Sequence, residues 1–319
     1  VMDYANGEWQ TPEIMPFGDM SFNPAFLSIH YGQSIFEGMK AHRAENSDDV
    51  LLFRPEENAL RLQRSAERMA IPPVPVDVFM NSLRSLVDLD RNWVPDTPES
   101  ALYLRPFVFA TDQFIGVRPS DSYRFVIFTC PVGPYYPAPV SVMVAEEFVR
   151  AFPGGTGDAK AAGNYAATLH PAKLAKKAGY DQILWTDGFE HKYFEEIGTM
   201  NVFFVVDGKV LTPELSGTIL PGITRQSIIE LLKEQGVTVE ERKVSVDEIV
   251  AAQKAGLLQD MFGAGTAATV THIAMFGYQG TNYDLPPISE RKLSLGLKQS
   301  LEDIKRGRAG DTRNWIVRV

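Results

Sequence analysis

Gly155-Thr-Gly157-Asp-Ala-Lys160-Ala-Ala-Gly163-Asn164-Tyr165 sets one lysine among glycines and alanines. Side chains this small let a bulky planar group approach the amine closely. The stretch begins like a phosphate loop, but Lys160 follows an alanine and no Ser or Thr comes next. Walker A is therefore excluded. Alone, the stretch reads as readily as a solvated surface lysine, so its meaning depends on its companions.

Four companions stand out. Leu220-Pro-Gly222-Ile223-Thr224-Arg225 is a Pro-Gly turn feeding a helix, either a phosphate seat of backbone amides or a helix simply well capped. Gly263-Ala-Gly265-Thr266-Ala267-Ala268 is a second anion nest or a tight core turn. Arg61 follows Glu57 by four residues, where an exposed i,i+4 pair is the default. Glu195-Glu196-Ile-Gly198-Thr199-Met200-Asn201 has strand-like surroundings, and adjacent glutamates there point to opposite faces, one solvated and one free to turn inward. A lysine, two anion seats, an arginine and an inward glutamate together describe a site for a phosphorylated cofactor.

Composition narrows the class. The 319 residues carry 31 basic and 40 acidic side chains, a net charge of −9, which disfavours a nucleic-acid binder. Apolar runs such as Phe203–Val206 and Phe125–Phe128 fall far short of the ~18 residues of a membrane span. Cys130 is the single cysteine, so no intrachain disulfide forms and an intracellular setting is expected. The opening residues from Val1 carry no signal segment, and cytoplasmic is the default location. His30, His42, His170, His191 and His272 show no metal-ligand spacing, so no metal is expected. GxSxG and GxGxxG are both absent.

Along the chain, Pro55-Glu56-Glu57 opens a helix that runs to about Arg68, and a second helix starts near Asp77. Leu102–Phe109 and Tyr123–Thr129 read as strands, with Tyr103, Arg105, Phe107 and Phe109 on one face. Pro131, Gly133, Pro134, Pro137 and Pro139 mark an interdomain linker. Beyond it, strands at 140–145, 182–186 and 201–206 mix with helices. Asp207-Gly208 signals a hairpin, Thr224 is a candidate N-cap for a helix closed by Gly236, and Ser245-Val-Asp-Glu248 is a capping box. The class is α+β, divided as 1–130, a linker at 131–141 and a larger domain at 142–319.

The ordered set Phe36-Glu-Gly38, Tyr103-Leu-Arg105, Cys130-Pro-Val-Gly133, the Lys160 stretch, Glu196-Ile-Gly-Thr-Met-Asn201, Leu220-Pro-Gly-Ile-Thr224 and Gly265-Thr-Ala267 resembles the branched-chain amino-acid aminotransferases. The resemblance covers nearly the whole chain. It implies fold type IV, with a small N-terminal α/β domain and a larger α/β-barrel-like domain, and pyridoxal 5'-phosphate as cofactor. Lys160 would hold the cofactor as a Schiff base and shuttle the proton, since lysine in a cationic, desolvating site offers a free amine. Glu196 would pair with the pyridine nitrogen, and Tyr165 with the ring hydroxyl. Arg61, the Ile223 and Thr224 amides and Thr266 would hold the phosphate, with Leu220 and Thr199 completing the cofactor site.

For substrate, the resemblance implies Tyr103, Thr266 and Ala267 near the α-carboxylate, and Phe36, Tyr31, Tyr135 and Tyr165 as walls of an apolar pocket. Arg105 at its edge would meet only an acidic side chain, so leucine, isoleucine or valine and glutamate share one site in a ping-pong exchange with 2-oxoglutarate. Tyr31 and the loop at Val117 would reach a neighbouring subunit's site, which implies a homodimer, with the site set between the domains. The CxxC of animal relatives is Ala268 and Thr271 here, so their thiol control is absent. Pro171 falls where a helix should follow Tyr165, and costs about 3 kcal/mol unless the helix begins there. The alternatives are a D-amino-acid aminotransferase or aminodeoxychorismate lyase on the same fold, or a non-catalytic binder of a phosphorylated ligand.

Overall fold

The computed structural model describes residues 1–134, 138–267 and 269–319. It divides into two compact units: Val1–Pro134 with Ala159–Gly163 and Asp303–Val319, and Tyr135–Asp158 with Asn164–Glu302. Two departures from the sequence-based division follow. The C-terminal segment from Asp303 rejoins the first unit, and so does the segment carrying Lys160, which was expected in the second.

The first unit is an antiparallel sheet with helices. Its strands are β1 (Met2–Ala5), β2 (Glu8–Trp9), β3 (Ser34–Phe36), β4 (Met39–Arg43), β5 (Val50–Phe53), β6 (Ala101–Ala110), β7 (Tyr123–Val132) and β17 (Ile316–Arg318). They lie in the order β17-β5-β4-β6-β7-β1-β2, with β3 also on β6. Helices α1 (Leu27–Tyr31), α2 (Pro55–Arg68) and α3 (Val76–Leu89) accompany them. Leu62 and Ala66 of α2 and Phe79, Leu83 and Val87 of α3 join Ile35, Leu52, Leu102, Leu104 and Val108 in one core. Pro106 sits in mid-sheet because its neighbours part there: β4 pairs with Leu102–Leu104 and β3 with Phe107–Phe109. Glu37 occupies the gap, its amide donating to the Pro106 carbonyl at 2.7 Å.

The linker is shorter than expected. Pro131 and Val132 finish β7, paired with Leu102 and Ala101, and Val140 opens the next strand. Pro131 is tolerated because β1 covers only Tyr123–Phe125 of β7, leaving the far end without a second partner.

The second unit holds β8 (Val140–Val144), β9 (Gln182–Thr186), β10 (Phe194–Ile197), β11 (Met200–Val206), β12 (Lys209–Thr212), β13 (Val239–Glu241), β14 (Leu258–Gly265), β15 (Thr269–Tyr278) and β16 (Thr281–Asp284). Their order is β10-β9-β8-β15-β14-β11-β12-β13, and β10 also pairs with β11. That last pairing closes a barrel, so these sheet edges satisfy one another. Val142, Leu184, Ile197, Val202, Phe204, Met261 and Ile273 lie in its core.

Helices α4 (Ala162–Ala166), α5 (Leu169–Lys177), α6 (Ile223–Glu234), α7 (Val246–Lys254) and α8 (Lys292–Lys305) follow in chain order. Pro171 stands in the first turn of α5, where its missing N–H has no intrahelical acceptor, so the expected cost vanishes. Thr224 is not the cap of α6: Gly222 is, with extended backbone and no capping side chain. Gly236 follows that helix at φ 72°, as expected of its closing residue. Ser245 caps α7 by accepting from the Glu248 amide at 3.1 Å, while the Glu248 carboxylate pairs with Arg242 instead. Asp207 and Gly208, at φ 47° and 74°, turn β11 into β12.

Candidate active site

In the first unit, Lys160 is fixed by its backbone. Its amide donates to Ser65 Oγ at 2.9 Å, and its carbonyl accepts from the Phe36 amide at 3.0 Å. Ala161 bridges to Ile35 alongside. The half-buried amine stands 5.0 Å from the Phe36 ring centroid. The small neighbours of Lys160 thus serve a strand-like seam.

Arg61 is brought to Glu37, not to Glu57. Its Nε donates to Glu37 Oε1 at 2.8 Å and its Nη2 to Oε2 at 2.9 Å, with side chains 4% and 0% exposed. Glu57 stands 3.8 Å from Arg54. Asn58 adds a donor to Glu37 Oε2 at 2.8 Å. Burial works to raise the Glu37 carboxyl, but Arg61, Lys160 and Asn58 together hold it below its ordinary value. Sequence reading quoted Glu37 inside a motif and missed this role, because the partners lie on different elements.

Tyr103, Arg105 and Phe36 also come together. Arg105 Nη2 donates to the Tyr103 hydroxyl at 2.8 Å, and its guanidinium stands 4.8 Å from the Phe36 centroid. Arg105 Nε is buried and has no partner among the described residues. A side chain at Gly38 would overlap the Tyr103 hydroxyl, so Phe36-Glu-Gly38 and Tyr103-Leu-Arg105 are fitted to each other. Tyr31 and Val117 are 39% and 89% exposed.

In the second unit the centre is Glu196 on β10. Its Oε1 accepts from the Leu220 amide at 2.8 Å and from Asn201 Nδ2 at 3.4 Å; its Oε2 lies 3.3 Å from Arg150 Nε. Asn201 also donates to the Leu220 carbonyl at 3.0 Å. Both adjacent glutamates are buried, Glu195 at 5% and Glu196 at 3%, where one was expected in solvent. The segment 218–220 meets both, Thr218 at Glu195 and the Leu220 amide at Glu196, and the β9–β10 register shifts between Phe194 and Ile197, none of which alternation alone could reveal. Arg150 and Asn201 were not singled out as site residues: Asn201 was quoted only as the end of the Glu196 motif, and nothing in the local sequence marks Arg150.

The segment 220–224 leads from Glu196 into α6. A side chain at Gly222 would overlap Asn201 Oδ1, so the glycine leaves room for the Asn201 amide in its present place. Among the described residues no side chain caps α6, so its first amides, those of Ile223 and Thr224, have no capping side-chain acceptor. Thr266 and Ala267 form the turn after β14, half-buried. Tyr165 lies in α4, half-buried, and Thr199 is exposed in the turn between β10 and β11. Tyr135 lies outside the described residues. Among the described residues no helix is long and apolar enough to cross a membrane, and no His, Cys, Asp and Glu cluster could hold a metal ion.

The family profile described as Amino-transferase class IV matches residues 34–271. Branched-chain-amino-acid transaminase 1 of Bacillus subtilis (strain 168) is 45% identical over 100% of this chain and 91% of its own length. The crystal structure of the Escherichia coli branched-chain amino acid aminotransferase superposes at a TM-score of 0.79 with 27% identity, covering 99% of this chain and 98% of that one. The branched-chain aminotransferase of the thermophilic archaeon Thermoproteus uzoniensis, solved with norvaline, superposes at 0.79 with 24% identity, over 99% and 98%.

Proposed function

Because the chain belongs to the class IV aminotransferases and to their branched-chain members, with the type IV fold, we propose that it exchanges the amino group between leucine, isoleucine or valine and 2-oxoglutarate, with pyridoxal 5'-phosphate as cofactor. The carrying observation is Glu196, a buried carboxylate aimed by an amide, an amide side chain and a guanidinium, beside an uncapped helix N-terminus. A carboxylate suits a protonated ring nitrogen, and free amides suit a phosphate. The donor set therefore fits the cofactor.

When bound, the cofactor supplies an electron sink for the substrate Cα. Lys160 would hold it covalently and then move a proton from the substrate Cα, its amine being steadied by a backbone tied to Ser65 and Phe36. Arg61, the Ile223 and Thr224 amides and Thr266 would bind the phosphate, Tyr165 the ring hydroxyl, and Leu220 and Thr199 the remaining edge. Tyr103, Thr266 and Ala267 would take the α-carboxylate. Phe36, Tyr31, Tyr135 and Tyr165 would shape the apolar pocket, and Arg105 would meet the second carboxylate of glutamate. Exposed Tyr31 and Val117 are available to a neighbouring subunit, which supports a homodimer. A cytoplasmic location accompanies this reading.

The test is a visible absorption spectrum of the reconstituted protein, followed by a donor panel. Leucine, isoleucine and valine should change the spectrum and 2-oxoglutarate should restore it. A response to D-alanine alone would move the chain to the D-amino-acid enzymes. A response to aminodeoxychorismate alone would move it to the lyases. A protein that stays colourless would be a binder of something else.

A further inference from the structure

Two buried acids in the second unit share one cation. Arg150 lies 3.3 Å from Glu196 Oε2, and its Nη2 donates to the carbonyls of Gly157 (2.9 Å) and Thr218. The Thr218 hydroxyl donates to Glu195 Oε1 at 2.5 Å. Glu195 Oε2 is buried with no partner among the described residues. Ionising both acids would leave a net negative charge in the barrel wall. Among the described residues Glu196 accepts two hydrogen bonds and is ion-paired with Arg150, whereas Glu195 accepts one hydrogen bond and has no ion pair, so the proton belongs on Glu195.

We propose that Glu195 is a positioning residue that holds a proton and thereby leaves Arg150 to Glu196; on losing it, Glu195 competes for the same guanidinium and loosens Glu196. The inference rests on the reading of Glu196 as the partner of the cofactor nitrogen. Burial is the chief cause that pushes the Glu195 carboxyl up to about 7, opposed by Thr218 and Arg150 and reinforced by Glu196 and Asp187. Asp187 is a fixed anion: its oxygens accept from the amides of Phe189, Glu190, Lys192 and Tyr193.

The experiment follows the carboxyl stretching band by infrared and the visible band by absorption, from about pH 5 to 9 around the raised carboxyl, in the protein loaded with pyridoxal 5'-phosphate. The wild type should lose a carboxyl band with a midpoint near 7, and its visible band should step at the same midpoint. Glu195→Gln should abolish both. Thr218→Val, which removes the single donor, should move both midpoints up by roughly one pH unit, and it keeps the test decisive if Glu195→Gln does not fold. A cofactor-loaded Glu195→Gln protein that retains the visible step, or a Thr218→Val protein with unmoved midpoints, overturns the proposal. Failure to bind pyridoxal 5'-phosphate overturns the functional reading instead, and the infrared titration of the same unloaded protein still decides where the proton sits.

Discussion

Each unit buries a glutamate against an arginine, and the two constellations are built differently. Glu37 faces one guanidinium in a two-pronged pair, and Asn58 adds a donor. Around Glu196, the guanidinium of Arg150 is paired with that acid and acts on its neighbour Glu195 only through space, and an oxygen of Glu195 is left without a donor among the described residues. A closed pair of the first kind fixes structure, since breaking it strands a buried charge. An arrangement short of donors has room to respond to a ligand or a proton. Buried charge alone does not mark a responsive site; unequal numbers of donors and acceptors do.

Lys160→Ala should produce the largest effect. Multiple-turnover transamination should fall by about 10⁴-fold or more, while the melting temperature stays near that of the wild type, because the lysine backbone carries its ties. Glu37→Gln should do the reverse of this division, costing about 3–5 kcal/mol in denaturant unfolding by taking the charge from a buried ion pair. Glu196→Gln should lower kcat/KM by about 10²–10³-fold, as loss of one aimed electrostatic group does, with a smaller stability change than Glu37→Gln. Equal stability losses in the two variants would erase the distinction.

The pH dependence of unfolding separates the two regions by sign. Glu195 is raised from 4.5 to about 7, so the native state binds its proton more tightly than the unfolded chain. That contribution is fully present below 4.5 and is lost as pH rises through about 7. Glu37 is lowered from 4.5, so its contribution is present above 4.5 and is lost as pH falls below it. Subtracting the unfolding curves of Glu195→Gln and Glu37→Gln from that of the wild type should give opposite slopes. Ser245→Ala, outside both regions, should cost only about 1 kcal/mol through the lost cap of α7.

What could be read from the chain alone follows the range of the interactions. Helix α2 and the Asp207-Gly208 turn were legible because proline, acids and glycine act on backbone within a few residues. Lys160 and Glu196 are candidates from the chain alone, through their small or acidic neighbours and the order of motifs. The Glu37–Arg61 pair was not legible, since Glu57 four residues earlier satisfied the local rule equally well. Nor was the burial of Glu195, whose hydrogen-bond donor Thr218 lies 23 residues further along the chain. Pro131 was misread for a related reason: whether proline interrupts a strand depends on how far the next strand reaches.

β17 pairs with β5, and Val50 and Val319 exchange backbone hydrogen bonds at 3.1 and 2.9 Å. The first unit is therefore nested around the second in sequence. During synthesis, every strand of the barrel leaves the ribosome before residues 316–318 can complete the edge of the first sheet. Vectorial folding would let the later-encoded unit finish first, with the earlier one holding an open edge at β5 until residues 316–318 emerge.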